Sequence, residues 1–133
     1  MLPGAVPTVA EAKEVGKFKV ADDNTIEIRG YKGEGPDAEI PSKIGTKTVT
    51  AIAENAFKGN TVLKSMIIPE GITRINAFAL SKCSALTNVA IPDSVTTIGE
   101  WTIVNCKQLI IRCNPGSCAE TYAKENNIPF VAE

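Results

Sequence analysis

A 23-residue unit recurs three times without interruption, at residues 49–71 (VTAIAENAFKGNTVLKSMIIPEG), 72–94 (ITRINAFALSKCSALTNVAIPDS) and 95–117 (VTTIGEWTIVNCKQLIIRCNPGS). A segment of that length cannot bury its own apolar side chains. A fixed period of this kind therefore marks a solenoid, in which each unit covers the apolar edge of the next. Aligning the units gives columns of like residues. Val49, Ile72 and Val95 open them, Ile52, Ile75 and Ile98 follow, then Phe57, Leu80 and Ile103, and Leu63, Leu86 and Leu109 precede a short strand. In that strand Met66 and Ile68, or Val89 and Ile91, alternate inward, and Pro69, Pro92 and Pro115 end it. β-Branched residues suit extended backbone, a two-residue alternation puts one face in a core, and proline stops strand pairing.

Two further columns look polar or aromatic. Asn60, Cys83 and Cys106 fall where a tight coil bends inward, a place for a small side chain that satisfies bent backbone groups. Asn55, Phe78 and Trp101 form the other column. Its two aromatics either pack beneath the turns of neighbouring coils or stand exposed as interface anchors. The strand positions expected to face outward are Ser65 and Ile67, Asn88 and Ala90, and Ile111 and Cys113, so Ile67, Ala90 and Ile111 give one mildly apolar face.

The flanks read as caps. Residues 1–17 contain small residues and two prolines with no apolar run long enough for a signal peptide. They read as a flexible leader or linker, either the stub of a replaced secretion signal or a natural terminus. Residues 18–48 hold an N-terminal hairpin, Phe18 to Val20 against Ile26 to Ile28, turning through Ala21, Asp22, Asp23, Asn24 and Thr25, and then an atypical first repeat. The spacing from Ile40 to Val49 exceeds that of the later coils, which places a hairpin insertion at residues 43–47. Residues 118–133 form a C-terminal cap: Ser117 and Glu120 fit a capping box, a short helix buries Ala119, Tyr122 and Ala123, Asn126 and Asn127 end it, and residues 128–131 return along the solenoid. All of this composes one domain.

The elements I-x-x-A-F, C-x-x-L, V-x-I-P and S-V-T-x-I-G, present as IAENAF at 52–57, CSALTNVAIPDSVTTIG at 83–99 and NCKQL at 105–109, resemble the BspA-type leucine-rich repeat family. The likeness covers roughly residues 26–130. The third unit departs from it, with Trp101, Thr102 and Ile103 in place of Ala-Phe and Asn114 before the proline. The resemblance implies a β-rich α+β solenoid, a right-handed leucine-rich-repeat coil of three to four 23-residue repeats with a hairpin at one end and a helix at the other. It also implies a bacterial secreted or cell-surface protein that binds other proteins in adhesion or host and cell interaction. A structural repeat domain without a dedicated ligand, extracellular or cytoplasmic, is the alternative.

Composition narrows the chemistry. The chain has 133 residues, 44% of them apolar, a formal net charge of −1 and no histidine. No basic block is present to track a phosphate backbone, and no apolar run spans a bilayer, so neither nucleic-acid binding nor membrane insertion is expected. Without histidine there is no Ser-His or Cys-His nucleophile pair and no His-containing zinc pattern. Carboxylates such as Asp22, Asp23, Glu70, Asp93 and Glu120 sit in turns and caps, where solvation accounts for them. The expectation is a monomeric non-enzyme without metal or cofactor, whose partner is a protein. Of the four cysteines, Cys83 and Cys106 share a column and suit buried thiols or a bridge, while Cys113 and Cys118 flank a turn that a local disulfide would pin.

Overall fold

The computed structural model describes residues 12–15, 18–23 and 25–133. Alternating apolar residues make strand pairs wherever a turn reverses or a coil returns. Strands β1 (Ala12–Val15), β2 (Phe18–Asp23) and β3 (Thr25–Tyr31) form an antiparallel meander in which Val20 lies opposite Ile28 and Asp23 opposite Thr25. This is the expected hairpin. Most of the expected leader falls outside the described residues, but its segment Ala12–Val15 is a paired strand and not free chain. The insertion at 43–47 is likewise a hairpin: β5 (Lys43–Ile44) runs antiparallel to the start of β6 (Lys47–Ile52) across Gly45, whose φ is 64°.

From β3 onward each coil contributes one strand to each of two sheets. The first continues from β3 through β6, β8 (Arg74–Ile75) and β10 (Thr97–Ile98), all parallel. The second contains five parallel strands in the order β12 (Phe130–Ala132), β11 (Ile110–Cys113), β9 (Asn88–Ala90), β7 (Ser65–Ile67) and β4 (Asp37–Glu39). Turns at residues 53–60, 76–83 and 99–106 form the remaining wall. The core fills the space between. Val49, Ile72 and Val95, Phe57, Leu80 and Ile103, and Leu63, Leu86 and Leu109 are all buried, while Ile98 at the last coil is only partly covered.

The third unit corrects the expected register. Ile111 pairs with Val89, which pairs with Met66, so these three form one buried column; Ile110 pairs with Asn88 and Arg112 with Ala90. The coil is one residue short between Leu109 and its strand: Thr87 separates Leu86 from β9, whereas Ile110 follows Leu109 directly. Slipping one residue exchanges the two faces of a strand. Keeping the strict 23-residue alignment would have sent Arg112 into the core beside Val89. Burying an unpaired guanidinium is too costly. The slip instead puts Ile111 and Cys113 inside and Ile110 and Arg112 outside, where Arg112 Nη1 lies 3.6 Å from Glu133 Oε1.

The end cap is helix α1 (Cys118–Glu125), preceded by Ser117 at φ −79°, ψ 164°. Ser117 Oγ accepts the Glu120 N–H at 3.2 Å, and the Glu120 carboxylate accepts the N–H of Gly116 at 2.7 Å, one residue earlier than in the usual box. Ala119, Tyr122 and Ala123 face the core, and Tyr122 OH accepts the Ile103 N–H at 3.1 Å. The chain leaves the helix through Asn126 and Asn127, the latter at φ 56°, and adds β12 beside β11.

Two substitutions measure this packing by urea unfolding. Leu86→Ala is expected to cost about 2–5 kcal/mol through the cavity it leaves between coils. Tyr122→Phe strips the acceptor from a buried N–H and is expected to cost about 1–3 kcal/mol. A Tyr122→Phe midpoint equal to that of the unaltered chain would show that the hydroxyl does not tie helix to coil.

Candidate functional site

The wall of turns, not either sheet, carries the unusual side chains. In the first unit Ala56 N–H bonds Ala53 O at 3.2 Å and Asn55 sits in the left-handed region at φ 64°. The equivalent residues Phe78 and Trp101 have φ 59° and 60°. Asparagine tolerates that conformation, whereas a bulky aromatic residue there is strained. The turns are stitched coil to coil by Asn55 N–H to Ala77 O (3.1 Å), Phe57 N–H to Ala79 O (2.8 Å) and Leu80 N–H to Thr102 O (2.9 Å), which leaves the backbone little freedom to relax. Thr102 Oγ1 adds bonds to Gly99 O at 2.7 Å and Asn76 O at 3.0 Å. Gly99 itself is required: a Cβ there would lie 2.7 Å from Ala77 N.

The two aromatics diverge. Phe78 is half-buried, and Lys58 Nζ of the preceding coil stands 5.3 Å from its ring centroid. Trp101 is 60% exposed. It borders a cleft of about 260 Å³ whose lining includes Glu100, Tyr122, Glu125 and Asn126. Through Gly99 that cleft adjoins a shallow groove of about 670 Å³ floored by Ala53, Asn76 and Ala77 and edged by Glu27, Arg29 and Glu54. Arg29 Nε is bonded to Glu27 Oε1 at 3.2 Å.

On the outer face of the second sheet Ile67, 51% exposed, and Ala90 are direct neighbours in adjacent strands. Ile111 is not part of that face: it is fully buried, and the next outward position is taken by Arg112. The row therefore reads Glu39, Ile67, Ala90, Arg112 and Val131, too interrupted by charge to form an apolar patch. Sequence reading singled out Trp101 but missed its surroundings. Glu100 was visible as its chain neighbour; Tyr122 and Glu125 join it only because α1 docks beside β10.

All four cysteines are free thiols in this structure, Cys113 and Cys118, for which a local bridge was one possibility, included. Cys113 faces inward from β11 and Cys118 opens the helix, and burial pushes both thiols up. Cys83 Sγ donates to Phe57 O at 3.1 Å and Cys106 Sγ to Leu80 O at 3.0 Å, each reaching the coil before. Asn60 fills the same column by accepting the N–H groups of Val62 and Leu63, both at 2.9 Å. The neighbouring Cys83 thiol, against the opposing effect of burial, holds Cys106 below the ordinary thiol range, while the same neighbour and burial raise Cys83. No group of three or more metal-ligating side chains occurs among the described residues. No helix among them is long and apolar enough to cross a membrane.

A family model described as a BspA type leucine rich repeat region matches residues 38–122 in six copies. Among solved structures, the chain is similar to a leucine rich cell surface protein from Faecalibacterium prausnitzii A2-165, with 27% identity and a TM-score of 0.69 over 76% of this chain and 30% of that one. It thus spans under a third of that protein's length. A T. pallidum leucine rich repeat protein matches at 20% identity and TM-score 0.49, covering 77% of this chain and 71% of its own. The pneumococcal vaccine antigen PcpA matches at 18% and 0.45, covering 81% and 42%. No curated protein sequence is significantly similar.

The thiol arrangement gives a direct test. Iodoacetamide at pH 7.5 is expected to label Cys106 first, with a rate that rises at lower pH than for an ordinary thiol. Peptide mapping that finds Cys118 or Cys113 labelled ahead of it would remove the thiol pairing.

Proposed function

Because the chain belongs to the BspA-type leucine-rich repeat family, we propose that it is a non-enzymatic protein-binding module of a bacterial secreted or cell-surface protein, acting in adhesion to host proteins, other cells or matrix. The observation that carries this reading is Trp101: an indole held at a left-handed turn and 60% exposed to water. A repeat with a purely architectural role would be better served by asparagine, as in the first unit at Asn55. Exposed tryptophans concentrate binding energy when a partner buries them. The F. prausnitzii protein, described as a cell surface protein, supports the same setting. Stacked coils supply what such a module needs, a rigid wall that loses little entropy on association. The partner is a protein, bound by one copy of this domain.

The test is capture from a panel of purified extracellular-matrix and cell-surface proteins by the immobilised chain. Trp101→Ala is expected to weaken the interaction by at least about tenfold without changing the unfolding midpoint. A panel-wide lack of binding would favour the architectural role, and full binding by Trp101→Ala would take the recognition surface away from this turn.

A further inference from the structure

We propose that the cleft beside Trp101 receives an arginine side chain of the protein partner, its guanidinium stacked on the indole and held by Glu100 and Glu125. This inference rests on the reading of the Trp101 wall as the recognition surface and names the chemistry it selects.

The molecule contains its own precedent one coil earlier. Phe78, the residue 23 positions before Trp101, has an ammonium over its ring, supplied by Lys58 from the preceding coil at 5.3 Å. Advancing Lys58 by the same period gives Ser81, which is buried and carries no charge. The aromatic column is thus kept from one coil to the next while its cation is not. No cation–π partner of Trp101 occurs among the described residues. In place of the missing cation stand two carboxylates. Glu100 and Glu125 both line the cleft, no lysine or arginine does, and neither carboxylate has an ion-pair or hydrogen-bond partner among the described residues. The nearest basic side chain of the cap, Lys124, is turned away: it lies 3.7 Å from Glu120 and 5.9 Å from the Phe130 ring centroid.

Indole is the strongest of the aromatic faces for a cation, and a planar guanidinium stacks on it while its edge donors reach carboxylates. An ammonium would satisfy the charge but not the plane. The cleft is lined by half-buried Ile98 and buried Tyr122 together with exposed Glu100 and Glu125, which suits the methylene stem and charged head of one arginine.

The experiment follows the Trp101 indole N–H resonance during titration with acetyl-Gly-Arg-Gly-amide and with its citrulline counterpart, which has the same shape and no charge. A saturable shift with the arginine peptide is expected, weakened about threefold or more by citrulline, by Glu100→Gln, by Glu125→Gln, and by raising salt from about 0.05 to 0.5 M. Equal responses to the two peptides, or binding indifferent to both substitutions, would overturn the proposal. Should Trp101→Ala abolish partner capture while the arginine peptide fails to bind, the arginine chemistry falls and the wider reading stands. The reverse result, peptide binding with partner capture intact in Trp101→Ala, overturns the wider reading and keeps the arginine cleft.

Discussion

Everything in this chain depends on the peptide groups of one coil being satisfied by the next. Thr73 N–H bonds Thr50 O at 2.8 Å and Thr96 N–H bonds Thr73 O at 3.0 Å; on the other sheet Thr87 N–H bonds Lys64 O at 2.8 Å and Ile110 N–H bonds Thr87 O at 2.9 Å. Threonine hydroxyls double several of these links, as from Thr73 Oγ1 to Thr50 O and from Thr87 Oγ1 to Lys64 O. A coil in isolation would leave those groups to water and its aliphatic columns open. The stack is therefore stable as neighbours and not as parts, and it demands closure at both ends. The β-meander and α1 meet that demand by different means, the first continuing the sheet and the second laying Ala119, Tyr122 and Ala123 over the last coil.

The same dependence explains what could be read from the sequence. A residue whose neighbours are its own counterparts one period away has an environment that the sequence itself displays, which is why the valine, isoleucine and leucine columns were legible before any coordinates. The capping serine and glutamate were legible for another reason, since their chemistry is local. The register of β11 was not. Its one-residue deletion shows only when Arg112 is asked to occupy the slot of Met66 and Val89, a question about burial cost and not about period. Two signs were present in hindsight: the charged residue at an inward place and Asn114 where aliphatic residues precede the proline in the other units. The cleft at Trp101 was illegible for a third reason. Glu125 comes from beyond the repeats and reaches the cleft through helix docking, which no column predicts.

Cohesion and the display of unusual side chains are separated within each coil. The sheets hold the stack together and present mixed, interrupted rows such as Glu39, Ile67, Ala90, Arg112 and Val131. The turns, already fixed by bonds between successive coils, can carry side chains that are conformationally costly because neighbouring coils hold their backbone in place. Phe78 and Trp101 use that allowance in different ways, one answered by a lysine of its own chain and the other facing water.

The shortened third coil also sets the direction in which such an array can lengthen. Copying residues 72–94 in tandem reproduces every inward and outward place, because that unit stands in strict 23-residue register with the coil before it in both sheets. A copy of residues 95–117 offers no such freedom: its strand has shed one residue and its end is fitted to β12 and α1. Copies of residues 72–94 inserted before residue 95 leave that fit untouched, so Trp101 and its cleft stay beside α1 however many units precede them.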